Sequence, residues 1–310
     1  MKHATLLNPS TNASDPIYHN VQKPVFWCEP HDLPRLHTEE LYSLTSSILD
    51  KNFIEKIKHN FPSHYCEMYF AAALIERSNL EVAHPSDTGP DFFLPELNCW
   101  VEVISATDGH EENPNSILKG EEHSYNEYPE QKVILRLSNA FETKAKKMMA
   151  DKIKGLINTE QPIILCISGG WLTERIPMYP KGGYPQIIKA LLPVGELVFW
   201  INKNTGKVNS HEFKFSEGTV KRKMKGDDVI IKTDFFLNPQ YSHISAVVYS
   251  WANTGNPIER KKWGCDFYTI HNPYATNKLP LGFIKCGVEY DVKATEESFT
   301  ISAPINHEQG

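Results

Sequence analysis

Apolar residues recur at helical spacing in two early parts of the chain. Over residues 38–60 this spacing predicts one or two amphipathic helices, and over residues 63–78 it predicts another helix with Ser63 as its N-cap. In the later helix Glu67 lies on the same face as Phe70. We therefore expect Glu67 to point inward, although an acid in the first turn also favours the positive end of the helix dipole.

Two short apolar runs on either side of a turn predict a β-hairpin over residues 90–104. Asp91 opens the first run, and Glu102 lies inside the second. Burying an unpaired carboxylate is costly, so an acid inside an apolar strand needs a cation, a hydrogen-bond partner or a metal beside it. One divalent cation would satisfy both acids. Taken singly, Asp91 is also compatible with a turn residue and Glu102 with a polar position of an alternating strand.

The middle of the chain alternates between polar and apolar segments. Residues 108–130 lack apolar periodicity, which predicts a surface loop and a candidate lid. Residues 132–137 predict a short strand, after which Ser138-Asn139 can cap a long helix that ends near Ile157. Residues 162–168 predict a buried strand.

Strand-like segments dominate the rest of the chain, at residues 196–201, 229–233, 244–250, 266–270 and 282–289. Because helices and strands alternate early and strands dominate late, we predict an α/β fold with a central mixed β-sheet flanked by helices and a β-rich C-terminal part. The predicted organisation is an irregular N-terminal arm over residues 1–36, an α/β core over 37–170, an insertion or peripheral lobe over 171–240, and C-terminal strands completing the core over 241–310.

Composition and charge add limits to this picture. A net charge of −6 and a sequence pI near 6.1 argue against a protein that coats nucleic acid through overall basicity, but they allow a local basic groove. The six cysteines are scattered without a Cys-x-x-Cys pair, which favours a reducing compartment. No apolar run approaches the roughly 20 residues that a membrane span needs. We therefore expect a cytoplasmic protein with no membrane partner.

The order of the acids resembles the PD-(D/E)XK superfamily, the restriction-endonuclease-like nucleases. The signature of that superfamily is a helical Glu, a Pro-Asp, and an acid-x-Lys on the adjacent strand, matched here by Glu67, Pro90-Asp91 and Glu102. The resemblance covers about residues 63–168 and implies a restriction-endonuclease-like core. The chain departs from the signature at the lysine position, where it has Ile104.

This resemblance implies a divalent-metal-dependent phosphodiester hydrolase that acts on DNA or RNA. Asp91 and Glu102, with Glu67 as a further ligand, would hold Mg²⁺ or Mn²⁺. Such an ion neutralises negative charge on the phosphoryl oxygens and polarises a bound water.

The missing lysine has two candidate substitutes. In some relatives the lysine comes from the following helix, and Lys144 is the best placed here, with Arg136 as a second candidate. A solvated helix face is the alternative for Lys144, since other lysines adjoin it. The residues expected to contact nucleic acid are Arg136, Lys147, Lys221, Arg222 and Lys223.

Two other interpretations stay open. Ile104 in the lysine position and the acidic net charge also fit a nuclease-fold module that has lost catalysis and binds nucleic acid or a protein partner. Alternatively, the acids form a structural hydrogen-bond cluster in a protein-interaction subunit.

Overall fold

The fold is built around a seven-stranded mixed β-sheet with helices packed against it. The computed structural model describes residues 6–7, 12–22, 33–84, 89–110, 112–117, 128–158, 160–173, 183–223, 225 and 227–307. The predicted α/β class, with a mixed sheet flanked by helices, is confirmed.

Six α-helices lie within the described residues. They are α1 Pro16–Gln22, α2 Leu33–Thr45, α3 Phe53–Ile57, α4 Phe61–Glu76, α5 Glu130–Ile153 and α6 Gln186–Leu191. Short 3-10 turns occupy Ser46–Ile48, Pro95–Leu97, Phe235–Leu237, Pro239–Tyr241 and Arg260–Lys262. The helices predicted over residues 38–60 correspond to α2 and α3.

The strands follow in chain order. They are β1 Phe92–Leu94, β2 Cys99–Ser105, β3 Ile163–Ser168, β4 Val194–Ile201, β5 Val208–Phe215, β6 Gly218–Lys221, β7 Val229–Lys232, β8 Ala246–Ser250, β9 Tyr268–His271, β10 Val288–Tyr290, β11 Val292–Ala294, β12 Phe299–Ile301 and β13 Ile305–Asn306.

The large sheet has the strand order β1-β2-β3-β8-β9-β10-β13. β1 is antiparallel to β2, whereas β2, β3 and β8 run parallel to one another. β9 is antiparallel to β8 and parallel to β10, and β13 is antiparallel to β10. Strands from the C-terminal part therefore lie in the same sheet as the predicted hairpin. The strand predicted over residues 282–289 is shorter than expected, because β10 begins only at Val288.

Alternation of side chains along the sheet separates two apolar cores. In β3, Ile164 and Cys166 pack with the core that contains α4, whereas Ile163, Leu165 and Ile167 pack with the core that contains α5. Residues on β2 that share a face with Glu102 consequently look towards α5.

The prediction of a strand over residues 132–137 is wrong, because these residues lie in the first turns of α5. The buried residues Val133, Leu137 and Phe141 are spaced four apart, so one apolar stripe continues through the segment. Burial of that stripe outweighs the strand propensity of its β-branched residues. Ser138 is therefore inside the helix, where its hydroxyl donates to the backbone oxygen of Ala190 at 3.2 Å.

The N-terminal region contains a helix, α1, where an irregular arm was predicted. Asp15 joins α1 to the start of α4: its Oδ1 accepts from the Ile17 amide at 2.8 Å, and its Oδ2 accepts from the Phe61 amide at 2.9 Å. Each bond satisfies a backbone donor at a helix start. α4 accordingly begins at Phe61, before the predicted N-cap Ser63.

The region between β3 and β8 forms α6 and two separate hairpins, β4–β5 and β6–β7. The strands predicted over residues 196–201 and 229–233 are confirmed as β4 and β7, while their partners β5 and β6 were not predicted. The division of the chain into domains stays a prediction.

The loop predicted over residues 108–130 is described at 108–110 and 112–117, which form neither helix nor strand. Asn115, Ser116 and Ile117 are buried, so this part packs against the body. Residues 111 and 118–127 of the candidate lid lie outside the described residues, and residues 128–130 lead into α5. Within the described ranges, no helix has the length and apolarity that crossing a membrane requires.

Candidate functional site

The register of the β1–β2 hairpin brings the two strand acids together. Phe93 pairs with Trp100, and their rings lie 4.8 Å apart between centroids on one face of the hairpin. Asp91 directly precedes β1, and its Oδ2 accepts from the amide of Val103, the residue after Glu102, so the hairpin brings the two acids close together. The hairpin prediction is confirmed.

Glu102 is fully buried, with 0% of its surface exposed, and two lysines of α5 neutralise it. Lys144 Nζ donates to Glu102 Oε1, and Lys147 Nζ donates to Oε1 at 2.7 Å and to Oε2 at 2.8 Å. Lys147 also donates to the backbone oxygen of Gly89 at 3.2 Å, just before Asp91. The two lysines are three residues apart and therefore share one face of the helix.

Lys144 remains a cation at neutral pH. Burial lowers the pKa of this lysine, but the negative charges of Glu102, Asp91 and Glu67 outweigh burial and raise its pKa above the usual 10.5. The protonated Lys144 side chain is suited to stabilising a nearby negative charge. It is not suited to removing a proton from water, which requires a neutral amine.

Asp91 lies close to the charges of both other acids. Its Oδ2 accepts from the Val103 amide at 2.7 Å. Burial, followed by the charges of Glu102 and Glu67, raises the pKa of Asp91 from 3.8 to about 7, against the opposing effect of Lys144. A cation placed beside this carboxylate would favour its ionised form.

Glu67 reaches the site from α4, the helix of the opposite core. Its Oε2 lies 3.1 Å from His64 Nδ1, one helical turn earlier. Glu67 and Asp91 line the same cavity of about 120 Å³, whose other polar lining residues are Asp50, Lys56, His64 and His84. The three predicted acids are therefore electrostatic neighbours, with Asp91 between the cavity and Glu102.

We expect Asp91→Asn to stabilise the fold at neutral and higher pH. With a folded pKa of about 7 against 3.8, Asp91 keeps its proton in the folded state while the unfolded chain ionises. Its contribution to stability is complete below pH 4 and is lost as pH rises through 7, by about 2–4 kcal/mol. Urea unfolding without divalent metal should show the variant more stable at pH 8 and similar to wild type at pH 3.8. A variant less stable at pH 8 would contradict the raised pKa.

Arg136, the second candidate for the missing cation, is not brought to the acids. It lies eight residues before Lys144 on α5, about 12 Å along the helix axis. Its Nη2 donates to the Asn115 backbone oxygen at 3.0 Å and approaches Ser116 Oγ at 3.3 Å. Burial lowers the pKa of Arg136 below its usual value, with a weaker opposing effect of Asp108. This arginine therefore fixes the described loop to α5.

The basic run at residues 221–223 lies apart from the acids, at the end of β6, and its side chains are exposed. The Arg222 amide donates to Asn115 Oδ1 at 2.8 Å, and Asn115 Nδ2 donates to the Arg222 oxygen at 2.7 Å. Contact of Lys221, Arg222 and Lys223 with nucleic acid stays a prediction.

The carboxylates of Asp91 and Glu102 suit Mg²⁺ by their chemistry. Mg²⁺ prefers oxygen ligands and is often bound by one or two carboxylates together with waters. No group of three or more His, Cys, Asp and Glu side chains within the described residues is arranged to hold a metal ion. Asp91 and Glu102 would therefore be the principal ligands, and Glu67 would act more distantly.

Two parts of the site were not predicted. Lys147 was expected to contact nucleic acid, but it holds Glu102 beside Lys144, and the spacing of three between these lysines was the available signal. The cavity residues Asp50 and His84 come from separate loops, which no local pattern brings together.

Comparisons with protein-family models, curated proteins and solved structures give no significant match to this chain. The assignment to the PD-(D/E)XK superfamily consequently stays a prediction that depends on the order of the acids in the sequence.

Proposed function

We propose that this chain is a divalent-metal-dependent phosphodiester hydrolase that acts on DNA or RNA. The observation that carries the proposal is the contact between Lys144 and Glu102, beside Asp91, which accepts from the amide of the next residue, Val103. A strand acid, a neighbouring acid and an amine from the following helix are then present together, although the signature position itself is Ile104. A restriction-endonuclease-like core is part of the same proposal.

Each side chain has a role that follows from its surroundings. Asp91 and Glu102 would hold the metal, which when bound supplies charge neutralisation at the phosphoryl group and a polarised water. Lys144, kept protonated by its acidic neighbours, would stabilise the negative charge that develops on the phosphoryl oxygens. Lys147 maintains the orientation of Glu102 through both carboxylate oxygens.

Removal of metal tests the proposal directly. End-labelled DNA and RNA incubated with the purified wild-type chain should be cleaved in Mg²⁺ or Mn²⁺, should remain intact in excess chelator, and should be cleaved again when metal is restored. The melting temperature should rise with the metal concentration, because a ligand of the folded state stabilises it. No cleavage of any substrate, together with an unchanged melting temperature, would contradict the proposal.

A second candidate is a catalytically inactive nuclease-fold module that binds nucleic acid or a protein. The observation in its favour is that lysines already occupy both oxygens of Glu102, which a metal would have to share. This module would bind oligonucleotide without product in metal, and its affinity would fall steeply with salt if phosphates are contacted. Affinity for a protein partner that changes little with salt would favour the protein-binding form.

A further inference from the structure

The β4–β5 hairpin carries large apolar side chains that are exposed on both of its faces. Phe199, Trp200, Ile201, Val208 and Phe215 are each between 50% and 72% exposed. The hairpin forms a two-stranded sheet of its own within the described residues. Several large apolar side chains exposed close together more often mark a binding site than a surface that contacts only solvent.

Each face of this hairpin presents one aromatic ring. Phe199 pairs with His211, with ring centroids 6.1 Å apart, whereas Trp200 pairs with Ser210 and therefore points to the opposite face. Trp200 Nε1 donates to Glu212 at 3.4 Å. The two rings are thus available on opposite sides of a narrow ribbon.

The base of the hairpin is attached to the body. Phe213 packs on Tyr184 with ring centroids 4.4 Å apart, and Tyr184 in turn contacts Tyr290 of β10 at 6.1 Å. Val194, at the start of β4, is buried. The exposed aromatic part is therefore carried on an anchored base.

The segment that contains the two hairpins has a positive net charge. Residues 194–232 contain eight Lys and Arg against five Asp and Glu, a net charge of +3, so the remainder of this chain of net charge −6 carries −9. Lys203 and Lys207 lie in the connection between β4 and β5, next to the exposed apolar residues. The β4–β5 hairpin itself, residues 194–215, has three Lys against two Glu, a net charge of +1, and two of these lysines are exposed in its connecting turn, where they are accessible to a polyanion.

The second hairpin connects this basic region to the helix of the candidate site. Thr219 Oγ1 of β6 donates to the Gln131 backbone oxygen of α5 at 2.9 Å. α5 also carries Lys144, so a ligand held by the hairpins is bound to the same body as the acids.

We propose that the β4–β5 hairpin binds an unpaired segment of nucleic acid, with bases stacked on Phe199 and Trp200 and phosphates contacting Lys203 and Lys207. The choice of partner rests on the proposed function. Stacking on aromatic side chains with lysines along the backbone is how single strands are bound without reading sequence. Protein interfaces, in contrast, are depleted of lysine at their centres.

Binding can be measured on the full wild-type chain in excess chelator, so that hydrolysis does not interfere. Fluorescence anisotropy with labelled single-stranded DNA and RNA of about 20 nucleotides gives the affinity. Phe199→Ala and Trp200→Ala should each weaken binding about tenfold, whereas Ile153→Ala, at an exposed apolar position on α5, should leave it unchanged. Both aromatic positions are solvent-exposed, and circular dichroism checks that the variants fold.

The lysines are tested by the salt dependence of the same binding. Lys203→Ala and Lys207→Ala should each reduce the slope of log affinity against log salt by about 0.7, and the exposed Lys293→Ala should not change it. Unchanged affinity in both aromatic variants would overturn the inference. The inference would also be overturned if sedimentation showed that the wild-type chain is a dimer and that the Trp200→Ala variant is a monomer. In that case the hairpin would join two copies of the chain.

The outcomes separate this inference from the proposed function. If binding depends on Trp200 but no substrate is cleaved in metal, the result would support nucleic-acid binding by the hairpin and contradict the proposed hydrolase function. If cleavage depends on metal but binding is unchanged in the Trp200 and Phe199 variants, the result would support the hydrolase function and contradict binding by the hairpin.

Discussion

Lys144→Met is expected to slow metal-dependent phosphodiester hydrolysis by about 100-fold or more. Methionine keeps most of the side-chain volume but removes the positive charge that would face the negative charge developing on the phosphoryl oxygens.

Asp91→Asn is expected to abolish activity, because an amide lacks the carboxylate charge that would hold the cation. Single-turnover cleavage rates, measured with saturating metal and substrate, check both expectations.

Lys146→Met is the matched control for Lys144. Lys146 is on the same helix, but it is exposed and pairs with Glu142 at 2.8 Å. The cleavage rate of the Lys146→Met variant should therefore remain within about twofold of the wild-type rate. Because acidic neighbours keep Lys144 protonated, its loss should lower the rate by a similar factor from pH 6 to pH 9. Equal effects of the two methionine variants would contradict a role of Lys144 in hydrolysis.

Asp266→Ala is expected to lower the free energy of unfolding by about 3–5 kcal/mol. This buried carboxylate accepts from the Tyr69 hydroxyl at 2.6 Å, from the Ser250 hydroxyl, and from the Trp251 and Ala252 amides at 3.1 Å. Alanine would leave four donors, three of them in buried residues, without this acceptor. Urea unfolding followed by tryptophan fluorescence gives the difference.

Asp291→Ala is a suitable control for that measurement. Asp291 is near the surface and forms a long ion pair with Lys293 at 3.9 Å, so its loss should change stability by less than about 1 kcal/mol. If Asp266→Ala also lowered the free energy of unfolding by less than about 1 kcal/mol, water would have replaced the carboxylate as the acceptor. Tyr69 is on α4, so the Asp266 bonds also fix the helix that carries Glu67.

The acids of the candidate site were predictable because each one interrupts a strong local pattern. Asp91 directly precedes an apolar strand and Glu102 lies within one, where an acid needs a partner, and the short turn between the strands keeps the two acids close. Lys144 was harder to identify, since Lys146 and Lys147 are similar in sequence. Packing of α5 on the sheet decides which lysines face Glu102, and this depends on residues distant in the chain.

The fold was predictable where one pattern dominated a long stretch, and it was missed where two patterns competed. β3 is buried on both faces, so its continuous apolar run predicts a strand. The first turns of α5 contain Val133 and Ile134, which suggest a strand in a short window, and only the helical spacing of the longer segment corrects this. β5 is polar along most of its length, and only its pairing with β4 makes it a strand.

The paired positions of Asp91 and Glu102 make the length of the connecting turn a requirement of the site. Side chains alternate along a strand, so inserting or deleting one residue within Pro95–Leu97 would turn one arm of the hairpin over relative to the other. If β2 kept its orientation, Asp91 would then lose its position beside the Val103 amide and Glu102. Related chains that retain this site should therefore differ freely in the identity of the turn residues but only by even numbers in their count.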